Sequence, residues 1–528
     1  MAARRTISLL AVRIVLGGVS LIPVAPISGL LAQEAAVPAS AAAIVRRSSA
    51  EIMERPIALI ATVGTLHQKV STTSPEAQTY YDQGIALLHS YVWVDAARSF
   101  HEALRRDPAL AMAELGLAKS YANADAWTEA YAHLKRATDL AAGGNVTSKE
   151  ANWIALCQVQ FNAIFATPDE RSLRQQIYQD ELEKLIAMDI GDPHAWALRG
   201  NAEEPRPQGR GQGGGVGSIA FYEAALQRDP DFWPADHYLV HSYENLGKYS
   251  SAAEHGRKYA AAVPGVPHAQ HMYAHVLPRL GRWQEAAEQL AKADRLQREY
   301  FTTGISPVEE WHHGHNLHLL GVANLRLGNE QVGARYLKEA FDLPVRGVRD
   351  GRFTNPWLEY LLLRGRFEEA LAAAQQAEKR PLAAARLIGA VRAAEALIGL
   401  NRMEDARQAQ QRAENELAML KRDSANPIYD YLPGFYQSTQ LDVLEAELGL
   451  AGSDPAAAEQ QLIAFADRLV GETNFDGWAT GLFRLEQLAA LADRLGRNEL
   501  VGALVERMRQ IDPGFATRFA PQQSTTTP

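Results

Sequence analysis

The sequence predicts an all-α protein, a right-handed superhelical solenoid of stacked antiparallel helix pairs. Alanine, leucine, glutamate and arginine dominate its 528 residues and β-branched runs are few, a composition that favours helix. The chain also repeats itself every 34 residues: Gly84, Ala96, Phe100, Ala103 and Pro108 recur as Ala118, Ala130, Leu134, Ala137 and Ala142. A turn residue then punctuates the later segments at Gly247, Gly281, Gly328, Gly365, Asn401 and Gly496.

The order of elements begins with a different kind of segment. Arg4 and Arg5 precede an apolar run broken by Arg13, which ends in the small residues of GLLAQEAAVPASAAA. That layout predicts a secretory signal peptide over 1–32, cleaved between 32 and 43, and hence an exported, periplasmic or extracellular protein. The paired arginines loosely match the twin-arginine export signal. Ile14 to Gln33 carries no charge over 20 residues, so an uncleaved inner-membrane anchor is the alternative. Pro23 and Pro26 make that segment a poor helix. Membrane contact is expected only in the uncleaved case. Residues 33–73 read as a low-order linker and N-terminal segment.

Helix pairs are expected over 74–202, 219–345 and 346–515, nine to eleven in all, with weaker pairs at 148–188 and 435–470. Each turn residue precedes a second helix bearing a small side chain, as at Ala252, Ala286, Gly333, Ala370 and Ala406, with Val501 in the last unit. Small residues let antiparallel helices approach, and larger ones fill the space between pairs. Pro230, Pro264 and Pro513 close units. The Gly/Pro-rich stretch EEPRPQGRGQGGGVGS, 203–218, predicts a flexible loop, and 516–528 a disordered tail.

The 34-residue helix–turn–helix period with this small/large pattern resembles the tetratricopeptide repeat. That resemblance places certain first-helix positions on a concave groove. His237 and His241, then His268, His271 and His275, then His315 and His318 occupy those positions in three successive units. With 15 histidines in 528 residues, nine such positions should hold about 0.3 by chance, and they hold seven. Glu244 and Arg279 lie one turn beyond on the same faces, and His312, His313, Glu309 and Glu310 are nearby.

Neutral imidazole is the commonest metal ligand, and pairs three or four residues apart on one helix supply two ligands to one ion. The seven histidines are therefore candidate ligands for a divalent metal, zinc or copper. Glu244 is a candidate base on a metal-bound water. Glu244, Arg279 and Asn316 are expected to line the groove. A surface that binds a partner's carboxylates or phosphates, and internal hydrogen bonding between repeats, are the competing readings.

The blocks DHYLVHSYE, HAQHMYAHVLPRLGRW and HNLHLL, together with YYDQGIALLHSYVWVDAARSFHEALRRDPALAMAELGLA, resemble a bacterial family of tetratricopeptide-repeat proteins of unassigned activity. Its H-Y-x-x-H, H-x-x-H-M-x-x-H and H-N-x-H blocks match His237, His241, His268, His271, His275, His315, Asn316 and His318. Glu114 stands where that family usually has tryptophan, HMYAH lacks the usual proline, and the Gly-rich insertion replaces an ordinary connection. The resemblance implies a shared site without naming its chemistry.

Other classes find little support. The formal net charge of −9 and the lack of a basic stripe argue against nucleic acid. No GxxxxGK[ST] motif offers a nucleotide cradle, and neither an HExxH motif nor a Ser–His–Asp set is evident. The single cysteine, Cys157, reads as a small buried apolar residue. The functional expectation is an exported binding or scaffold protein, whose groove takes a protein, peptide or small-molecule ligand and holds a metal at the histidines. A metal-dependent hydrolytic or redox enzyme is the alternative.

Overall fold

The computed structural model describes residues 50–205, 211–307, 309–344, 351–423, 428–452, 455–471, 477–512 and 514. The predicted signal peptide and the 516–528 tail lie outside the described residues. Those residues are all-helical apart from turns and irregular chain, and form eleven antiparallel helix pairs.

The first four pairs are α1 (Pro75–His89) with α2 (Trp93–Arg106), α3 (Ala111–Asn123) with α4 (Trp127–Ala142), α5 (Ser148–Ile164) with α6 (Arg171–Met188), and α7 (Pro193–Asn201) with α8 (Val216–Arg228). The next three are α9 (Trp233–Asn245) with α10 (Tyr249–Ala262), α11 (Pro267–Val276) with α12 (Trp283–Phe301), and α13 (His313–Arg326) with α14 (Glu330–Asp342). Then come α15 (Gly351–Leu363) with α16 (Phe367–Ala377) and α17 (Ala383–Gly399) with α18 (Met403–Asp423). The helix α19 comprises Leu432–Tyr436, a π turn at Gln437–Leu441 and Asp442–Leu450, and pairs with α20 (Pro455–Gly471). Last are α21 (Leu482–Arg494) and α22 (Asn498–Ile511). Among the described residues no helix is long and apolar enough to cross a membrane.

The turns follow from backbone sterics. All six punctuating residues adopt the left-handed conformation, from φ 60° at Asn401 to 80° at Gly328, which glycine and asparagine tolerate best. Tyr91 and Asp125 hold the same place in the first two pairs, at φ 59° and 60°.

The small/large pattern has a direct packing cause. Phe100 on α2 is fully buried between Gly84 of α1 and Gly116 of α3, and a Cβ at either glycine would come within 2.5 Å of its ring. The device recurs with Tyr222 over Gly200 and Leu337 over Gly321. Tyr222 and Leu337 thus set the spacing within their own pairs, and Phe100 also wedges the first pair against the second through Gly116.

Two segments differ from the sequence expectation. The low-order segment enters the described residues as one helical turn, Ala50–Met53, followed by irregular chain that is strapped down. Its backbone N–H groups at Ile60, Gln68 and Val70 donate to the side chains of Gln83, Asp82 and Gln78 on α1. The Gly/Pro-rich insertion ends earlier than 218, because α8 begins at Val216. Its second part is pinned by Asn245, whose Nδ2 donates to the carbonyls of Gln212 and Gly214 at 3.0 and 2.8 Å.

The solenoid also closes on itself. Trp233 Nε1 of α9 donates to the carbonyl of Thr65 at 3.1 Å, and Gly265 N to that of Thr62 at 3.0 Å. Tyr429 hydroxyl donates to Asp125 at 2.9 Å, Arg171 pairs with Asp430 at 2.7 Å, and Arg326 of α13 pairs with Glu486 of α21 at 2.9 Å. At the C-terminal end Arg392 and Arg484 are buried among Glu359, Glu395 and Glu447.

Phe100→Ala should empty the wedge and lower stability by about 3–5 kcal/mol. Urea denaturation followed by circular dichroism reads this as a lower midpoint, and an unchanged midpoint would contradict the wedge.

Candidate metal centre

The first-helix histidines meet in the structure, but not on an open face. Their relative exposures run from 0% at His237 and His271 to 9% at His241. The repeat frame places them on a concave groove open to ligands, and the tight superhelix covers that groove instead. The turn joining α1 to α2 sits on them: Tyr91 lies 4.6 Å from the His237 ring and 4.9 Å from His268, centroid to centroid. Trp93, the first residue of α2, stacks on Trp311 at 5.3 Å, and Trp311 packs edge-on against His312 at 4.7 Å.

The imidazoles form two groups of three, each with ligand nitrogens all within 4.8 Å of one another. The first is His237, His241 and His268, drawn from α9 and α11. The second is His271, His275 and His315, drawn from α11 and α13. His312, just before α13, bridges them: its ring centroid is 4.7 Å from His268 and 3.9 Å from His271. His318 is buried on α13, 6.3 Å from the His315 ring, and belongs to neither group.

Hydrogen bonding fixes which nitrogen faces inward. His237 Nδ1 donates to the carbonyl of His89 at 2.8 Å, so the lone pair lies on Nε2, which in the ion-free chain accepts from His268 Nε2 at 3.0 Å. His271 Nδ1 donates to Asn316 Oδ1 at 3.1 Å, and Asn316 is held by its own Nδ2 donating to the carbonyl of Leu290 at 3.1 Å. His275 Nδ1 donates to Glu244 Oε1 at 2.6 Å. This is how proteins commonly orient metal-ligating imidazoles. His241 Nε2 has no hydrogen-bond partner although its ring is buried. The Nε2 atoms of His237 and His268 are 3.0 Å apart, a separation close to the ~3.3 Å between two ligands on one tetrahedral ion with bonds of ~2 Å.

Burial favours the neutral form, the one that binds metal, in His237, His241, His268 and His312. It holds His237, His268 and His312 well below the ordinary value of 6.5, and neighbouring imidazoles add to the effect. His241 is pushed down to about 3 by burial and by the charge His275 would carry.

Other residues sit differently from the sequence expectation. Glu244 is buried and holds the Nδ1 side of His275, so its carboxylate orients a ligand; it does not point at the Nε2 side where a bound water would lie. Arg279 lies away from the histidines, over the Tyr249 ring and toward the carbonyl of Ile511 at 3.4 Å. Asn316 is a buried orienting group beneath His271, not a groove residue. The sequence frame missed His89 and Tyr91, which come from a pair far away in the chain.

No family model and no curated protein matches this chain. Among solved structures, yeast Tom70 is 11% identical with a TM-score of 0.36, over 82% of this chain and 93% of that one. A tetratricopeptide repeat protein from Parabacteroides merdae is 14% identical with a TM-score of 0.33, over 49% and 93%. PilW, a type IV pilus biogenesis factor, is 15% identical with a TM-score of 0.26, over 51% and 93%. Likeness this distant says nothing of what the chain binds.

The depressed imidazoles carry a sign that can be checked. Below pH 6.5 the unfolded chain takes up protons that the folded one refuses, so stability falls as pH falls. Each such ring should subtract about 1.4 kcal/mol per pH unit. Chelator-treated protein should therefore lose urea resistance steeply from pH 6.5 down to about 4.5, and His241→Gln should soften the slope. A flat profile would contradict neutral, buried rings.

Proposed function

We propose that the chain is an exported helix-pair scaffold that holds a divalent metal, zinc or copper, at its buried imidazole groups. The observation that carries this is the common orientation of His237, His271 and His275. Each gives its Nδ1 proton to a fixed acceptor, which places the lone pair on Nε2, the nitrogen that would bind an ion. Three ligands in each group leave a coordination position for water or a partner's side chain. Export rests on the N-terminal sequence, and a protein, peptide or small-molecule partner remains the expected cargo of the solenoid.

The three-ligand count also suits a metal-dependent hydrolytic or redox enzyme. The placement of Glu244 on the far side of His275 weighs against it as the base, which leaves binding as the stronger reading.

Metal analysis of the mature chain, purified without a polyhistidine tag, tests the proposal. Zinc or copper should be bound stoichiometrically, with one share lost in His271→Ala/His275→Ala and the other in His237→Ala/His241→Ala. Protein that stays metal-free after exposure to both ions would sink it. Asn316→Leu should weaken metal binding by about 10–100-fold in competition with a chromogenic chelator, because His271 loses its orienting acceptor.

A further inference from the structure

A second polar feature lies on the other side of the His89–Tyr91 turn. Helices α1, α3, α5, α7 and α9 surround a cavity of two lobes, about 100 Å³ and about 70 Å³, that share Leu88, His89, Lys119, Leu198 and Asn201. None of the described residues lining either lobe is acidic. Lys119 reaches it from α3 with its ammonium 5.2 Å from the Trp153 ring, and no described carboxylate pairs with it.

The histidines on the wall do not balance that charge. His194 is 7% exposed, its Nε2 has no hydrogen-bond partner, and burial keeps its ring neutral. His89 is likewise held well below its ordinary value, by burial first and then by His194 and Lys119. The cavity therefore offers one cation and no opposing charge, with Trp127 and Phe161 walling the larger lobe. Lys119 is partly buried, and an ammonium withdrawn from water without a counter-ion carries a cost that a bound anion offsets.

We propose that this cavity binds a small monocarboxylate with an apolar body, its carboxylate on the Lys119 ammonium and its body in the aromatic lobe. The size matches the charge pattern: a cavity of ~150 Å³ accommodates a single benzene ring, so the fit is a one-ring or branched-chain acid of about five to nine carbons. A dianion would bring a charge with no second cation to meet it. The site shares no side chain with either imidazole group, although the His89–Tyr91 turn borders both, so carboxylate binding and metal content are read separately.

Isothermal titration calorimetry on the full chain tests this. The probes are benzoate, 3-phenylpropanoate and 4-methylpentanoate, their neutral amides, and inorganic phosphate. At least one carboxylate should bind at least about tenfold more tightly than its amide and than phosphate. Lys119→Met should weaken that carboxylate by about tenfold or more. Ala122→Phe, which places a ring in the larger lobe, should abolish its binding while leaving metal content unchanged. Equal binding of acid and amide, preference for phosphate, or no binding by any carboxylate up to about 10 mM would each overturn the proposal. The acid–amide comparison on the unmodified chain decides the matter even if Lys119→Met fails to fold.

Discussion

A buried neutral imidazole has one N–H to give and one lone pair to place, and the centre of this protein is organised by that constraint. The carbonyl of His89, the amide of Asn316 and the carboxylate of Glu244 each take an Nδ1 proton. Once those protons are committed outward, the Nε2 lone pairs gather inward, where they repel one another unless a proton or cation lies between them. The surrounding chain serves that commitment: Leu290 fixes the Asn316 amide, and Tyr91 and Trp311 seal the rings from water.

The architecture was legible in sequence because it depends on local sterics. Left-handed turn residues and the small residue at Gly84 leave a signature at fixed spacing, whereas Gly116, the second glycine against Phe100, lay outside the repeat frame. The histidine helices were legible for the same reason, since register along one helix is a property of that helix. What escaped was whatever depends on how far the superhelix winds. His89 and Tyr91 reach His237 across more than 140 residues, and no local pattern encodes that meeting. His312 precedes the regular part of α13, so the frame counted it as a neighbour and not as the bridge between the two groups.

The roles of Glu244 and Arg279 show the same limit in finer form. Spacing put both one turn beyond a histidine on a shared face, which is correct for their backbones. Side-chain direction was decided by neighbours: His275 captures Glu244 from the next helix, and Tyr249 draws Arg279 away. A carboxylate that looks like a base in sequence becomes an orienting acceptor once its partner is known.

Closure of the solenoid has a consequence for how the chain acquires its centre. Open repeat arrays depend on nearest-neighbour contacts, so folding can start anywhere and spread. Here the strap near Thr62–Thr65 and the turn at His89–Trp93 meet α9, α10 and Trp311, which are made much later in synthesis. Contacts of such long sequence separation slow folding, because loop closure comes before its reward. The N-terminal pairs must wait with an unfinished face until the seventh pair emerges. The histidines on α9 and α11 stay accessible during that interval, and the proposed ion would have to enter then, before the turn closes over them.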